Sequence, residues 1–137
     1  MSGRRSICRR RKKLLDRDVC ERLAEAYPVA IGAHKLVDGD LFRFEPSESD
    51  GVYVYFYEGP ERMAVSRRWC PRFEDLLPVA ALLVEFPLFP RLDRDGLGAW
   101  EFGGGEYETF GEEPGRGKEP DEAVAAYLLM KAERSER

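Results

Sequence analysis

The run Val52, Tyr53, Val54, Tyr55, Phe56, Tyr57 constrains this chain more than any other stretch. Six consecutive β-branched or aromatic side chains read as a strand, with the valines and Phe56 on one face and the three tyrosines on the other. Upstream, the turn signal Asp38-Gly39 leads into a candidate strand at residues 41–45. Downstream, Glu58-Gly59-Pro60-Glu61 turns the chain into a third at residues 62–66. Together they predict a three-stranded antiparallel meander, about the smallest sheet that is stable once one face is packed.

A helix is available to pack it. Leu14, Leu15, Val19, Leu23 and Ala26 recur at helical spacing and Pro28 closes the segment, which predicts a helix over residues 13–26. Pro71 suits the first position of a short helix through residue 77, and Pro78 is expected to break or restart it. Residues 79–86 fit a buried helix or a strand equally well. Pro87 and Pro90 bracket an extended segment, Asp95-Gly96 marks a turn, and residues 99–102 suit a short strand. Glycine and glutamate dominate residues 103–118, which read as a solvated loop. A last helix starts near Pro120, with Asp121 and Glu122 at its positive end and Lys131 and Arg134 near its negative end. Its Val124, Tyr127, Leu128 stripe is expected to dock on the body.

The predicted fold class is therefore α+β: an N-terminal helix packed on a small antiparallel β-meander, a Pro-led short helix and a C-terminal helix. The expected organisation is a basic arm at residues 1–11, a core at 12–102, a Gly/Glu loop at 103–118 and the terminal helix at 119–137, one domain overall.

A chain of 137 residues with 43% hydrophobic side chains can bury a core without staples. Its longest apolar run, residues 76–84, is nine residues, against the roughly 20 needed to cross a bilayer. No apolar stretch follows the N-terminal basic residues, so they do not read as a signal peptide. Cys8, Cys20 and Cys70 are odd in number and widely spaced, which predicts free thiols and a cytoplasmic location. Asn and Gln are absent and Arg outnumbers Lys seventeen to five; amide depletion suits a thermophile, whereas the Arg excess equally suits a GC-rich genome.

The net charge of −4 conceals a segregation: residues 1–22 carry +6, which leaves −10 for the rest. Such asymmetry points to an acidic partner surface. Basic residues at the start of the first helix also oppose its dipole, so helix stability does not account for them.

Residues for catalysis are sparse. His34 is the only histidine, no nucleophile motif surrounds it, and it reads as a surface or turn residue. Cys8, Cys20, His34 and Cys70 lack the paired spacing of zinc ligands. Residues 111–118 end in Gly117-Lys118 like a phosphate-binding loop, but Glu112 takes the first glycine position and Glu119 the place of the magnesium-ligating hydroxyl. Asp93 and Asp95 open like a calcium loop, but Leu97 and Gly104 stand at ligand positions. Both segments read as turns. Glu106 and Glu108 leave a carboxylate hydrolase open on residue type alone. The balance is against an enzyme, with no metal or cofactor expected.

Two features suit nucleic acid. Tyr53, Tyr55 and Tyr57 form either a base-stacking platform or a packed sheet face, and packing is the commoner fate of such stripes. The segment Ser66-Arg67-Arg68-Trp69-Cys70-Pro71-Arg72-Phe73 mixes guanidinium groups with aromatics in an expected turn. Its arginines either contact phosphate or pair with the acidic body. The candidate nucleic-acid contacts are Arg4, Arg5, Arg9, Arg10, Arg11, Lys12, Lys13, Arg67, Arg68, Trp69 and Arg72. No amphipathic helix carries bulky apolar residues beside the charge, which disfavours a membrane surface.

The order of elements resembles the pre-PUA domain that precedes PUA modules in RNA-binding and ribosome-associated proteins. Residues 10–26, the run Gly51-Val-Tyr-Val-Tyr-Phe-Tyr-Glu-Gly-Pro60 and residues 69–77 carry the resemblance. The segment at residues 90–99 is similar to the opening of a PUA module, and Pro114-Gly115 to its later Pro-Gly. The chain departs from the PUA half in its Gly/Glu tract and its helical ending. The resemblance implies RNA association and a place near the ribosome or tRNA processing. The expectation is a small RNA-binding protein, with a non-enzymatic protein-interaction or self-associating module that uses the acidic body, its partner a protein or ribonucleoprotein, as the alternative.

Overall fold

The computed structural model describes residues 14–45, 51–56, 66–85, 88–105 and 112–135. The fold is α+β, with two small three-stranded antiparallel sheets and N-terminal, Pro-led and C-terminal helices. The chain divides into two compact units, Met1–Arg72 and Phe73–Arg137, and the division falls inside the stretch expected to hold one core.

In the first unit, helix α1 spans Arg17–Ala26 and buries Cys20 and Leu23, one helical turn apart. It starts at Arg17, beyond the basic run, after the extended residue Asp16. Pro28, lacking an N–H, does not end helical structure outright but opens a single π-helical turn, Pro28–Gly32, that buries Ile31. Strands β1 (Leu41–Glu45), β2 (Tyr53–Val54) and β3 (Ser66–Trp69) follow in the order β2-β1-β3. A meander would put the tyrosine-rich strand in the middle; β1 is central instead, pairing with β2 from Leu41↔Val54 and with β3 from Phe42↔Trp69. The burial of β1 explains this, because Leu41, Phe42 and Arg43, which alternate between faces, are all at most 6% exposed. The third strand lies at Ser66–Trp69 rather than at 62–66, so the segment expected to turn is itself partly strand. Residues 57–65, with Tyr57, lie outside the described residues.

The two faces of β1 differ in kind. Phe42 and Phe44 meet edge to face at 5.1 Å, Tyr53 lies 5.4 Å from Phe44, and the Arg67 guanidinium sits over the rings of Phe42 and Tyr55 at 5.5 and 5.7 Å. Tyr55 is buried and Tyr53 half-buried, so these two tyrosines belong to a packed aromatic cluster. On the other face, Arg43 reaches Cys20 of α1.

In the second unit, helix α2 spans Phe73–Ala81 and contains Pro78. An interior proline forfeits a backbone hydrogen bond at a cost of about 3 kcal/mol. Here Pro78 is exposed, while Leu76 and Ala80 are wholly buried and hold the helix in place. Strands β4 (Phe89–Arg94), β5 (Trp100–Gly105) and β6 (Gly115–Gly117) form a sheet in that order. Pro90, which cannot donate to a ladder, lies on the edge strand β4. The Gly/Glu tract is therefore not one solvated loop: its two ends, 103–105 and 115–117, are paired strand.

Helix α3, Pro120–Ser135, explains why those strands are glycine-rich. A Cβ at Gly115 would fall on the Tyr127 amide nitrogen and the Ala123 carbonyl oxygen, so only glycine lets the strand backbone touch the helix backbone. The predicted stripe Val124, Tyr127, Leu128 is fully buried, with Tyr127 edge-on to Phe102 at 5.1 Å. Among the described residues, no helix is long and apolar enough to cross a membrane.

Candidate functional site

The first unit holds a cavity of about 340 Å³ beside the edge strand β3. Ala24 of α1, Ile31 of the π turn and Leu36 supply an apolar wall, and His34, Arg67, Arg68 and Trp69 supply polar and aromatic groups. Ligand pockets of this size combine apolar walls with a few placed polar groups.

Each of these side chains is held by a specific partner. His34 donates from Nε2 to Asp40 Oδ2 at 2.7 Å, and the carboxylate, only an acceptor, fixes which ring nitrogen carries the proton. Asp40 is 5% exposed; it also accepts from the Val37 N–H at 2.9 Å and has Arg72 Nη2 at 3.9 Å. The His34 ring lies on Trp69, centroids 3.6 Å apart and planes 16° from parallel. Arg68 donates from Nε to Glu45, and that hydrogen bond holds the guanidinium above its ordinary pKa against a smaller opposing effect of burial. Arg67 rests on the aromatic cluster of the sheet. The indole N–H of Trp69 is buried without a hydrogen-bond partner.

Three of the residues singled out from sequence, Arg67, Arg68 and Trp69, thus line one cavity. Arg72 lies apart from its lining, beside Asp40. Arg4, Arg5, Arg9, Arg10, Arg11, Lys12 and Lys13 lie outside the described residues. Arg68 and Arg72 face carboxylates of the same unit, the pairing that sequence left open. His34, read from sequence as a surface or turn residue, is instead a half-buried member of the lining. The only signal that could have found it is Asp40, six positions on, across the Asp38-Gly39 turn that folds the pair together.

Arranged this way, the cavity offers an aromatic stack and the Arg68 guanidinium, which Glu45 pairs, while the Arg67 guanidinium lies over the aromatic cluster; an aromatic stack beside a guanidinium suits a planar ring. Comparison with protein-family models, with curated proteins and with solved structures finds no match.

Proposed function

We propose that this chain is a small RNA-binding protein in which the basic arm at residues 1–11 contacts phosphates and the cavity beside β3 takes a nucleotide. The observation that carries the reading is the meeting of Arg67, Arg68 and Trp69 with His34 around one cavity. A base stacking by the Trp69–His34 pair, with its phosphate drawn to the guanidinium groups, combines the two interactions that single-stranded RNA binding uses. Glu45 competes with phosphate for Arg68, which makes the contact responsive to salt. The resemblance to pre-PUA domains supports the same reading and extends it to ribosome or tRNA processing. Cys20 and Cys70, both buried and not joined in a disulfide, support a cytoplasmic setting.

The test is Trp69 fluorescence in a Trp100→Phe chain titrated with short single-stranded oligoribonucleotides. Saturable quenching that weakens at higher salt is the expected result. Unchanged emission at RNA concentrations that saturate the arm overturns the role of the cavity.

A protein partner is the second reading. Phe56 is 51% exposed at the rim of an apolar hollow of about 180 Å³ that Phe42, Phe44 and Tyr53 also line. Partner capture that survives nuclease treatment and is lost in Phe56→Ser favours it over RNA.

A further inference from the structure

Arg43 is a charged side chain in the wrong place for an ordinary sheet residue. It is 6% exposed, and a guanidinium stays charged at every accessible pH. Its Nη2 donates to the Leu15 carbonyl at 2.6 Å. Its Nη1 lies 3.5 Å from the sulfurs of both Cys20 and Cys70, and its Nε has no partner. No carboxylate pairs with it among the described residues. A buried cation is strongly disfavoured unless an anion neutralises it, and among the described residues the groups that meet it and can become anionic are the two thiols.

Those thiols are not joined in a disulfide, are 2% and 1% exposed, and lie 3.9 Å apart. They come from separate elements, Cys20 from α1 and Cys70 from the residue that follows β3. The distance is within about 2 Å of a covalent sulfur–sulfur bond, a gap that a modest side-chain rotation closes.

We propose that Cys20, Cys70 and Arg43 form a buried redox site, in which Arg43 stabilises one thiolate and hydrogen peroxide converts the pair to an intramolecular disulfide. Cys20 donates its S–H to Cys70 at 3.9 Å, and that hydrogen bond first, and burial second, push the Cys20 thiol up. In the proposed site Cys70, which accepts that hydrogen bond and has the guanidinium 3.5 Å from its sulfur, is the thiolate and the attacking atom. Its sulfur attacks one peroxide oxygen, the O–O bond breaks, and the departing hydroxide takes a proton from solvent to leave as water, giving Cys70 sulfenic acid. The Cys20 sulfur then attacks the Cys70 sulfur. The S–S bond forms, the S–O bond breaks, and the hydroxyl leaves with the Cys20 proton as a second water. Two thiols lose two electrons and one peroxide becomes two waters. Burial of both sulfurs selects a small uncharged oxidant over bulky disulfides.

Arg43 is the positioning residue, acting through Cys70. Oxidation also removes the negative charge beneath it, so the disulfide form leaves the guanidinium with the Leu15 carbonyl as its remaining strong acceptor. The redox state of the pair is in this way tied to the join between the first helix and the sheet.

The experiment treats a full-length Cys8→Ser chain with graded hydrogen peroxide, blocks remaining thiols under denaturing conditions, and maps peptides without reduction. The expected product is one cross-linked species joining Cys20 to Cys70, lighter than the sum of its peptides by two hydrogens. Sulfinic or sulfonic acid at either position without a cross-link overturns the proposal. So do thiols that stay unreacted at a peroxide dose that oxidises the unfolded chain. For Arg43, the cross-linking rate is followed against pH. In the parent the rate levels off below the ordinary thiol value of about 8.5. In Arg43→Met the profile moves up by a unit or more, with a loss of roughly tenfold in rate near neutrality. A parent profile still climbing above the ordinary thiol value removes Arg43 from the account even if the variant fails to fold.

Discussion

The imidazole of His34 lies face to face on the indole of Trp69, centroids 3.6 Å apart, while its Nε2 donates to the buried carboxylate of Asp40 at 2.7 Å. One side chain therefore joins the Asp40 turn to the edge strand and forms one wall of the cavity. His34→Ala removes the stack and one hydrogen bond to Asp40 together, and is expected to cost about 1–3 kcal/mol. Urea unfolding of a Trp100→Phe chain, followed by Trp69 emission, measures the loss and shows a red shift in the folded baseline as the indole gains water.

Glu112 plays a comparable part in the second unit. Its Oε2 accepts from the Tyr127 hydroxyl at 2.5 Å and the Gly104 N–H at 3.0 Å, and its Oε1 from Lys131 at 3.2 Å. The carboxylate thus fastens helix α3 to the end of strand β5. Tyr127→Phe is expected to cost about 1–2 kcal/mol and Glu112→Ala about 2–4 kcal/mol, because the latter leaves several donors unmet. A double-mutant cycle on the pair should return coupling above about 0.5 kcal/mol; additive losses would show that the short contact contributes nothing of its own.

Gly115→Ala tests the close approach of strand and helix. The added carbon meets backbone atoms of Ala123 and Tyr127, which cannot rotate aside. The expected loss is about 3 kcal/mol or more, read by chemical denaturation, with Arg116→Ala on the exposed neighbouring position as a control close to the parent.

The β4–β5 hairpin is predicted to weaken in acid. Asp95 Oδ1 accepts from the N–H groups of Ala99 and Leu97 at 2.9 and 2.8 Å, and those hydrogen bonds lower its pKa, that of Ala99 first. A carboxyl whose folded pKa is depressed contributes stability above its unfolded value of about 3.9, and that contribution is lost as pH falls through the folded value. Carboxyl titration by NMR should place Asp95 below the ordinary aspartate value of about 3.9. Gly98, at φ +95°, completes the turn, so Gly98→Ala should weaken the hairpin at every pH.

Elements with a strong local signal were legible in the sequence. Strand β1 has the expected bounds, and α3 buries its predicted stripe because that pattern needs no knowledge of what it packs against. The first half of β5 was legible too, at residues 99–102, whereas its glycine end and β6 carried no such signal, since Gly103, Gly104 and Gly115 are placed by contact with residues elsewhere in the chain rather than by propensity. The central position of β1 was hidden for a related reason: Arg43 reads as a surface residue until Leu15, Cys20 and Cys70 are brought around it. In the candidate site, the arginines and Trp69 stood out by type, whereas His34 and the apolar wall became visible only through the turn at residues 37–40.

The salt dependence of RNA affinity, compared between the full chain and one lacking residues 1–11, tests RNA binding through the arm most directly. Five arginines are removed, and each lost phosphate contact on a single strand flattens the plot of log affinity against log salt by about 0.7. The account predicts a weaker complex with a slope shallower by about 1.5–3.5, and a further loss on Arg67→Ala. Affinity and slope both unchanged by the deletion would contradict it.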